Sequence, residues 1–172
     1  GASNLYSREF YALAKRHMTK DDVLQQWVQL HHIRRREVAA IVRTLRGVFA
    51  HVALFEGGAQ GILVASDEPL VASRLRLEAL ETRPAIQETL DPGKHLEDLL
   101  GEMIAADADL DRFVADAARA DGEAPISTDD NLFLEYATPK GNVLEYQSSL
   151  ASMLELLRSY RREGIEAEHV GP

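Results

Sequence analysis

The chain has 172 residues, no cysteine and a formal net charge of −9 at pH 7, and 45% of it is hydrophobic. That is enough apolar material for one globular domain with an appended helical region. The missing cysteines exclude disulfides and thiolate metal sites and fit a reducing, cytoplasmic setting. The acidic balance argues against a nucleic-acid surface, which needs Lys and Arg in clustered excess, and leaves a small cationic amine compatible as a partner.

Gly1-Ala2-Ser3-Asn4 leads straight into an amphipathic helix, with no strand or phosphate-binding turn ahead of it, as expected for the back half of an enzyme. Arg8 to Met18 places Phe10, Leu13, Ala14 and His17 at helical spacing, with Ser7 as its cap. Val23 to Leu30 is rich in β-formers and short enough for a buried strand. By spacing, Trp27 and Phe49 belong to the core. Arg34 to Phe49 forms a second helix, with Val38, Ile41, Val42, Leu45 and Val48 on one face and arginines on the other, so it packs on a sheet. His51–Phe55 and Gly61–Ala65 are the next strands, joined through Glu56 to Gln60, and this antiparallel pair is expected to end the sheet.

From Glu68 onward the pattern turns helical, around Val71–Leu80, Ala85–Leu90, His95–Ala106 and Asp109–Ala118, with breaks at Pro84 and Pro92-Gly93. Leu132 to Tyr136 suits a short edge strand ended by Pro139, a final helix covers roughly Val143 to Arg162, and Gly164 to Pro172 is expected to fray. The fold class is therefore α/β. Residues 1–67 supply the sheet part, 68–140 a helical layer plus edge strand, and 141–172 a terminal helix and tail. No stretch reaches the roughly 20 apolar residues of a membrane-spanning helix, and the amino terminus lacks the basic start and apolar centre of a signal peptide.

Few residues announce chemistry. Gly57, Gly58 and Gly61 join two strands, so they form a tight turn and not a dinucleotide-binding loop. His31-His32 follows directly on the first strand, where ligand-binding loops of open α/β sheets gather. A neighbouring histidine pair without a third ligand is a poor metal site, which leaves a polar pocket wall or ordinary surface histidines. Asp129, Asp130 and Glu135 could gather as a carboxylate cluster for a cation, but Ser127, Thr128 and Asp129 are equally the residues that cap turns. No metal site is assigned.

Four stretches resemble the spermidine synthase family, the polyamine aminopropyltransferases, and in particular bacterial spermidine synthase-like proteins, some of which are fused to membrane segments. Asn4-Leu5-Tyr6-Ser7-Arg8-Glu9-Phe10-Tyr11 is similar to the family's phrase after the catalytic loop. Val23 to Leu30 resembles the following strand, and Phe49–Phe55 with Gly61–Ser66 the terminal hairpin. Ser127 to Tyr136 resembles a "TDDxPxLEY" ending, with Asn131-Leu132 where the family usually has Arg-Pro.

The resemblance implies the carboxyl-terminal half of a Rossmann-like methyltransferase sheet ending in a hairpin. It also implies aminopropyl transfer from decarboxylated S-adenosylmethionine to an amine. In the family pattern the glycine-rich cofactor turn, the acidic ribose ligand and the catalytic loop precede the matched region, so no catalytic or cofactor-binding residue is carried over and the chain is not expected to act alone. Where true synthases carry a polyamine-contacting glutamate in a "QGE" setting, this chain reads Gln26-Trp27-Val28. Gln26, Gln29 and His31 are expected to form a substrate-pocket wall, with Tyr6 at its mouth. Self-association, or pairing with an amino-terminal half, follows from the same reading, and a non-catalytic interaction or assembly domain is the alternative.

Overall fold

The computed structural model describes residues 3–137 and 145–172. A 3-10 turn at Ser3–Tyr6 precedes α1 (Arg8–His17), β1 (Leu24–Gln29), α2 (Arg35–Arg46), β2 (His51–Gly57), β3 (Gln60–Ser66) and β4 (Ala72–Ser73). There follow α3 (Arg74–Glu81), α4 (Pro84–Gln87), β5 (Met103–Ala106), α5 (Ala108–Asp121), α6 (Phe133–Ala137), α7 (Tyr146–Arg158) and β6 (Val170–Gly171). The architecture is mixed α/β.

The main sheet has four strands in the order β1-β3-β2-β5, every neighbouring pair antiparallel. Because β1 and β2 are each antiparallel to β3, they run in the same direction, and α2 is the crossover between them. The hairpin β2–β3 closes through Gly58, whose φ of 69° is the left-handed geometry that glycine adopts without a Cβ clash. Gly61 has a different reason to be glycine: a Cβ there would come within 2.8 Å of Val28 Cγ1 and 3.0 Å of Leu54 Cδ1.

Alternation divides the sheet into two faces. Val28, Val52, Leu54, Leu63 and Ala65 point to the face covered by α2, whose Val38, Ile41, Val42 and Leu45 are buried there with Phe49, Phe113 and Leu157. On the other face Ala53, Met103, Ala106 and Ile165 form a second, smaller cluster with Phe55 and Leu70. The cap expected at Ser7 is present, its side chain accepting from the Phe10 amide at the start of α1, and Glu37 accepts from the Arg34 amide at the start of α2.

One corner is unusually constrained. Asp107 lies between β5 and α5 at φ 39° and ψ −103°, a costly backbone for a non-glycine residue. Its carboxylate accepts from the Val52 amide at 2.8 Å and from Arg46 at 3.0 Å, and meets His51 Nδ1 at 2.8 Å. These bonds hold the corner against the start of β2 and offset the backbone strain.

Several expectations need correction. The antiparallel pair does not end the sheet: β3 sits between β1 and β2, and β5 adds a fourth strand beyond β2. That strand lies within the stretch read as helical from His95, where Leu96–Glu102 is 3-10 and Met103–Ala106 is extended and wholly buried. Burial on both faces makes such a strand a continuous apolar run, which periodicity alone does not distinguish from a buried helix. Leu132 to Tyr136 is no edge strand, because Phe133–Ala137 is helical and follows Leu132 at φ 46°; Pro139 lies outside the described residues. The final helix is shorter than expected, Tyr146–Arg158. Trp27 is 44% exposed, since it faces away from the α2-covered side. The tail does not fray, for β6 pairs with β4 in parallel and Ile165 is fully buried.

Candidate functional site at the carboxyl end of β1

The polar residues singled out from the sequence sit along β1 and just beyond it, in two groups. In the first, the Tyr6 hydroxyl donates to the Trp27 carbonyl at 2.8 Å, and Gln26 Nε2 donates to the same oxygen at 3.1 Å. Burial raises the Tyr6 pKa, and the hydrogen bond to Gln26 partly opposes it. Tyr11 lies close by with its hydroxyl buried and unpartnered, and burial pushes its pKa far above the ordinary range.

In the second group, Gln29 Nε2 donates to the His31 carbonyl at 2.8 Å and lies 3.2 Å from His31 Nδ1. Gln29 falls on the face of β1 that also carries Gln25 and Trp27, whereas Gln26 falls on the face of Val28. The four residues thus form two adjoining pairs, Gln26 with Tyr6 and Gln29 with His31, on opposite sides of one strand end.

The second pair is completed by residues that the sequence pattern did not single out. The first turn of α7 lies over the end of β1, so the Tyr146 ring sits 4.5 Å from the His31 ring at 46°. The His32 ring meets both, at 5.0 Å from His31 and 5.8 Å from Tyr146, each nearly edge-on. Its backbone holds φ 56°, its amide donates to Ser149 Oγ at 3.3 Å, and its Nε2 atom is buried with no partner.

Glu145 begins α7, its carboxylate accepting from the Gln147 amide at 3.0 Å and the Ser148 amide at 2.7 Å. Those amides, Ser148 first, hold its pKa below the usual carboxylate range, with a smaller contribution from His32. A groove of about 470 Å³ continues from this point, lined by Ile33, Arg35, Ser148, Ser149 and Met153 among others.

His31 has its pKa lowered, chiefly by desolvation and secondarily by the neighbouring His32. Its imidazole is therefore neutral at neutral pH; because the Gln29 amide nitrogen can only donate, Nδ1 accepts and Nε2 carries the proton, beside the Tyr146 ring, whose face suits a cation. Because the folded state disfavours the proton, the His31 contribution to stability is complete above the unfolded pKa of about 6.5 and lost as pH falls through the lower folded value. An NMR titration is expected to give His31 a midpoint below that of the exposed His95, whose partner Glu81 raises its pKa. Equal midpoints would show that His31 is not held against Tyr146 and His32.

Around Asp129 and Asp130 the chain is built as a turn, as the capping reading has it: Thr128 and Asn131 exchange side chain to backbone bonds, and the Asp129 amide donates to Glu9. Among the described residues no three His, Cys, Asp or Glu side chains converge as metal ligands. Nor is any helix among them long and apolar enough to cross a membrane. No family model matches the chain, and no match is found among curated proteins or among solved structures.

Proposed function

We propose that the chain is the carboxyl-terminal part of a spermidine synthase-like transferase, supplying the last strands of a methyltransferase-like sheet and part of an amine-binding wall. In the parent family the reaction is aminopropyl transfer from decarboxylated S-adenosylmethionine to an amine, and this segment is not active alone. The observation that carries the reading is topological. β1 and β2 run in the same direction with α2 between them, and β2–β3 is an antiparallel hairpin of the kind the resemblance implies, here extended by β5 beyond β2.

Two features support it further. Among the described residues the outer edge of β1 has no strand partner, so it can extend the sheet. At the carboxyl end of that strand, where open α/β sheets place ligands, stand Gln29, His31, Tyr146 and Glu145. A carboxylate and an aromatic face there suit an ammonium group, and His31 Nδ1, once released from the Gln29 amide, can accept a proton from it when the amine is in line with the sulfonium-activated carbon.

A second reading draws on the exposed Trp27 on the unpaired edge strand: a non-catalytic assembly domain that uses this edge to hold a partner chain. Calorimetry separates the two. Decarboxylated S-adenosylmethionine is expected to bind a longer gene product carrying the family's cofactor motifs and not this chain by itself. Binding by neither, together with concentration-dependent association of this chain in light scattering, would favour the assembly reading and remove the transferase one.

A further inference from the structure

A second cavity lies at the opposite end of β1, on the sheet face that α2 does not cover, and shares no lining residue with the His31 and Tyr146 site. It encloses about 340 Å³ between the strands, the strap from Glu68 to Ala72 and the start of α3. Its floor is apolar, made of Phe55, Val64, Leu70 and Met103. Phe55 and Leu70 also pack on the small cluster around Ile165. His169 closes one side, and its Nδ1–H donates to the Leu70 carbonyl at 2.7 Å, which fixes the strap against the tail.

The rim is charged and balanced. Lys20 and Arg76 bring two cations, and Asp21 and Glu68 two carboxylates. Most arginines of this protein are tied into ion pairs, including Arg35, Arg43, Arg46, Arg158 and Arg162. Among the described residues the four rim side chains enter none, although they line one cavity. Each is therefore available to a ligand without first breaking a protein contact.

We infer that this cavity binds a free α-amino acid with a branched aliphatic or aromatic side chain. The side chain would lie on Phe55, Val64, Leu70 and Met103, the carboxylate at Lys20 and Arg76, and the ammonium at Asp21 and Glu68. Size agrees: at the roughly 30 Å³ that one water occupies in the liquid, the cavity holds about ten non-hydrogen atoms. A purely apolar ligand would leave all four charges unused, and a dianion or dication would meet two like charges at the rim, so charge balance selects a zwitterion.

The inference does not depend on the transferase reading, and the two sites can be followed separately in one NMR experiment. L-Leucine and L-phenylalanine added to the full chain are expected to shift the amide signals of Val64, Leu70 and His169 saturably, and to leave His31 and Tyr146 unmoved. 4-Methylpentanoate, which lacks the ammonium, and 3-methylbutylamine, which lacks the carboxylate, are each expected to bind about tenfold more weakly, because one charge-assisted contact is lost. Arg76→Ala and Glu68→Gln change exposed side chains, should leave folding intact, and are expected to weaken amino-acid binding by a similar factor. The inference is overturned by any of three results: no saturable shift at millimolar amino acid, equal affinity for either truncated analogue, or unchanged binding in the doubly substituted protein.

Discussion

Phe113→Ala is expected to destabilise the protein by about 3–5 kcal/mol, the range for deleting a fully buried aromatic ring. The side chain is 1% exposed, lies on α5 in the main core, and meets the Tyr160 ring edge-on at 5.5 Å. Its loss opens a cavity at the junction of α2, α5 and the end of α7, where three separate chain segments cannot all collapse inward at once. Urea unfolding followed by circular dichroism measures the effect as a lowered midpoint at unchanged slope. Tyr160→Phe is the informative control: it keeps the ring pair and removes only the hydroxyl's 2.8 Å bond to Asp116, for a cost of about 1 kcal/mol. If both variants cost the same, ring packing is not what joins α5 to the end of α7.

Ile165→Ala carries the second large effect, about 3 kcal/mol within the 2–5 range for a buried aliphatic truncation. Ile165 is completely buried against Ala53, Met103 and Ala106, on the sheet face that α2 does not cover. Gly164, at φ 70°, turns the chain so that the side chain can enter. Beyond it the tail is held by β6 on β4, by Ser73 Oγ donating to the Pro172 carbonyl at 2.9 Å, and by paired Arg162 and Glu168. The substitution is expected to release the last residues to limited proteolysis before the rest of the domain unfolds. A frayed tail would instead tolerate it within about 0.5 kcal/mol, as exposed positions do. The measurement thus also decides whether His169 stays in place beside the lower cavity.

The elements that the sequence made legible are those whose signal is local. α1 and α2 carry apolar residues at helical spacing, α1 with its cap at Ser7, and β2–β3 is a hairpin because Gly58 permits a tight turn between two β-rich runs. β5 was not legible, since a four-residue buried run is the same string of apolar letters in a strand or a helix, and its partner β2 lies far away in the chain. The same holds for Phe133–Ala137, where aromatic and aliphatic residues suited to an edge strand are helical instead.

The candidate site divides along the same line. Gln26, Gln29 and His31 could be placed at the end of a strand, and Tyr6 ahead of the first helix, from spacing and order alone. That Gln26 and Gln29 fall on opposite faces follows from the period of two once the register of β1 on β3 is known. Tyr146, Glu145 and Ser149 reach the site only because α7 folds back across the strand end, where the amide of His32, in the left-handed region, donates to Ser149. The sequence by itself determined an acidic α/β domain, its first helices and hairpin, and a polar end to β1, because composition, periodicity and capping act over a few residues. The tertiary structure alone decided the fourth strand, the anchored tail, the aromatic wall on His31 and the charge-rimmed cavity, because each depends on burial between segments distant in the chain.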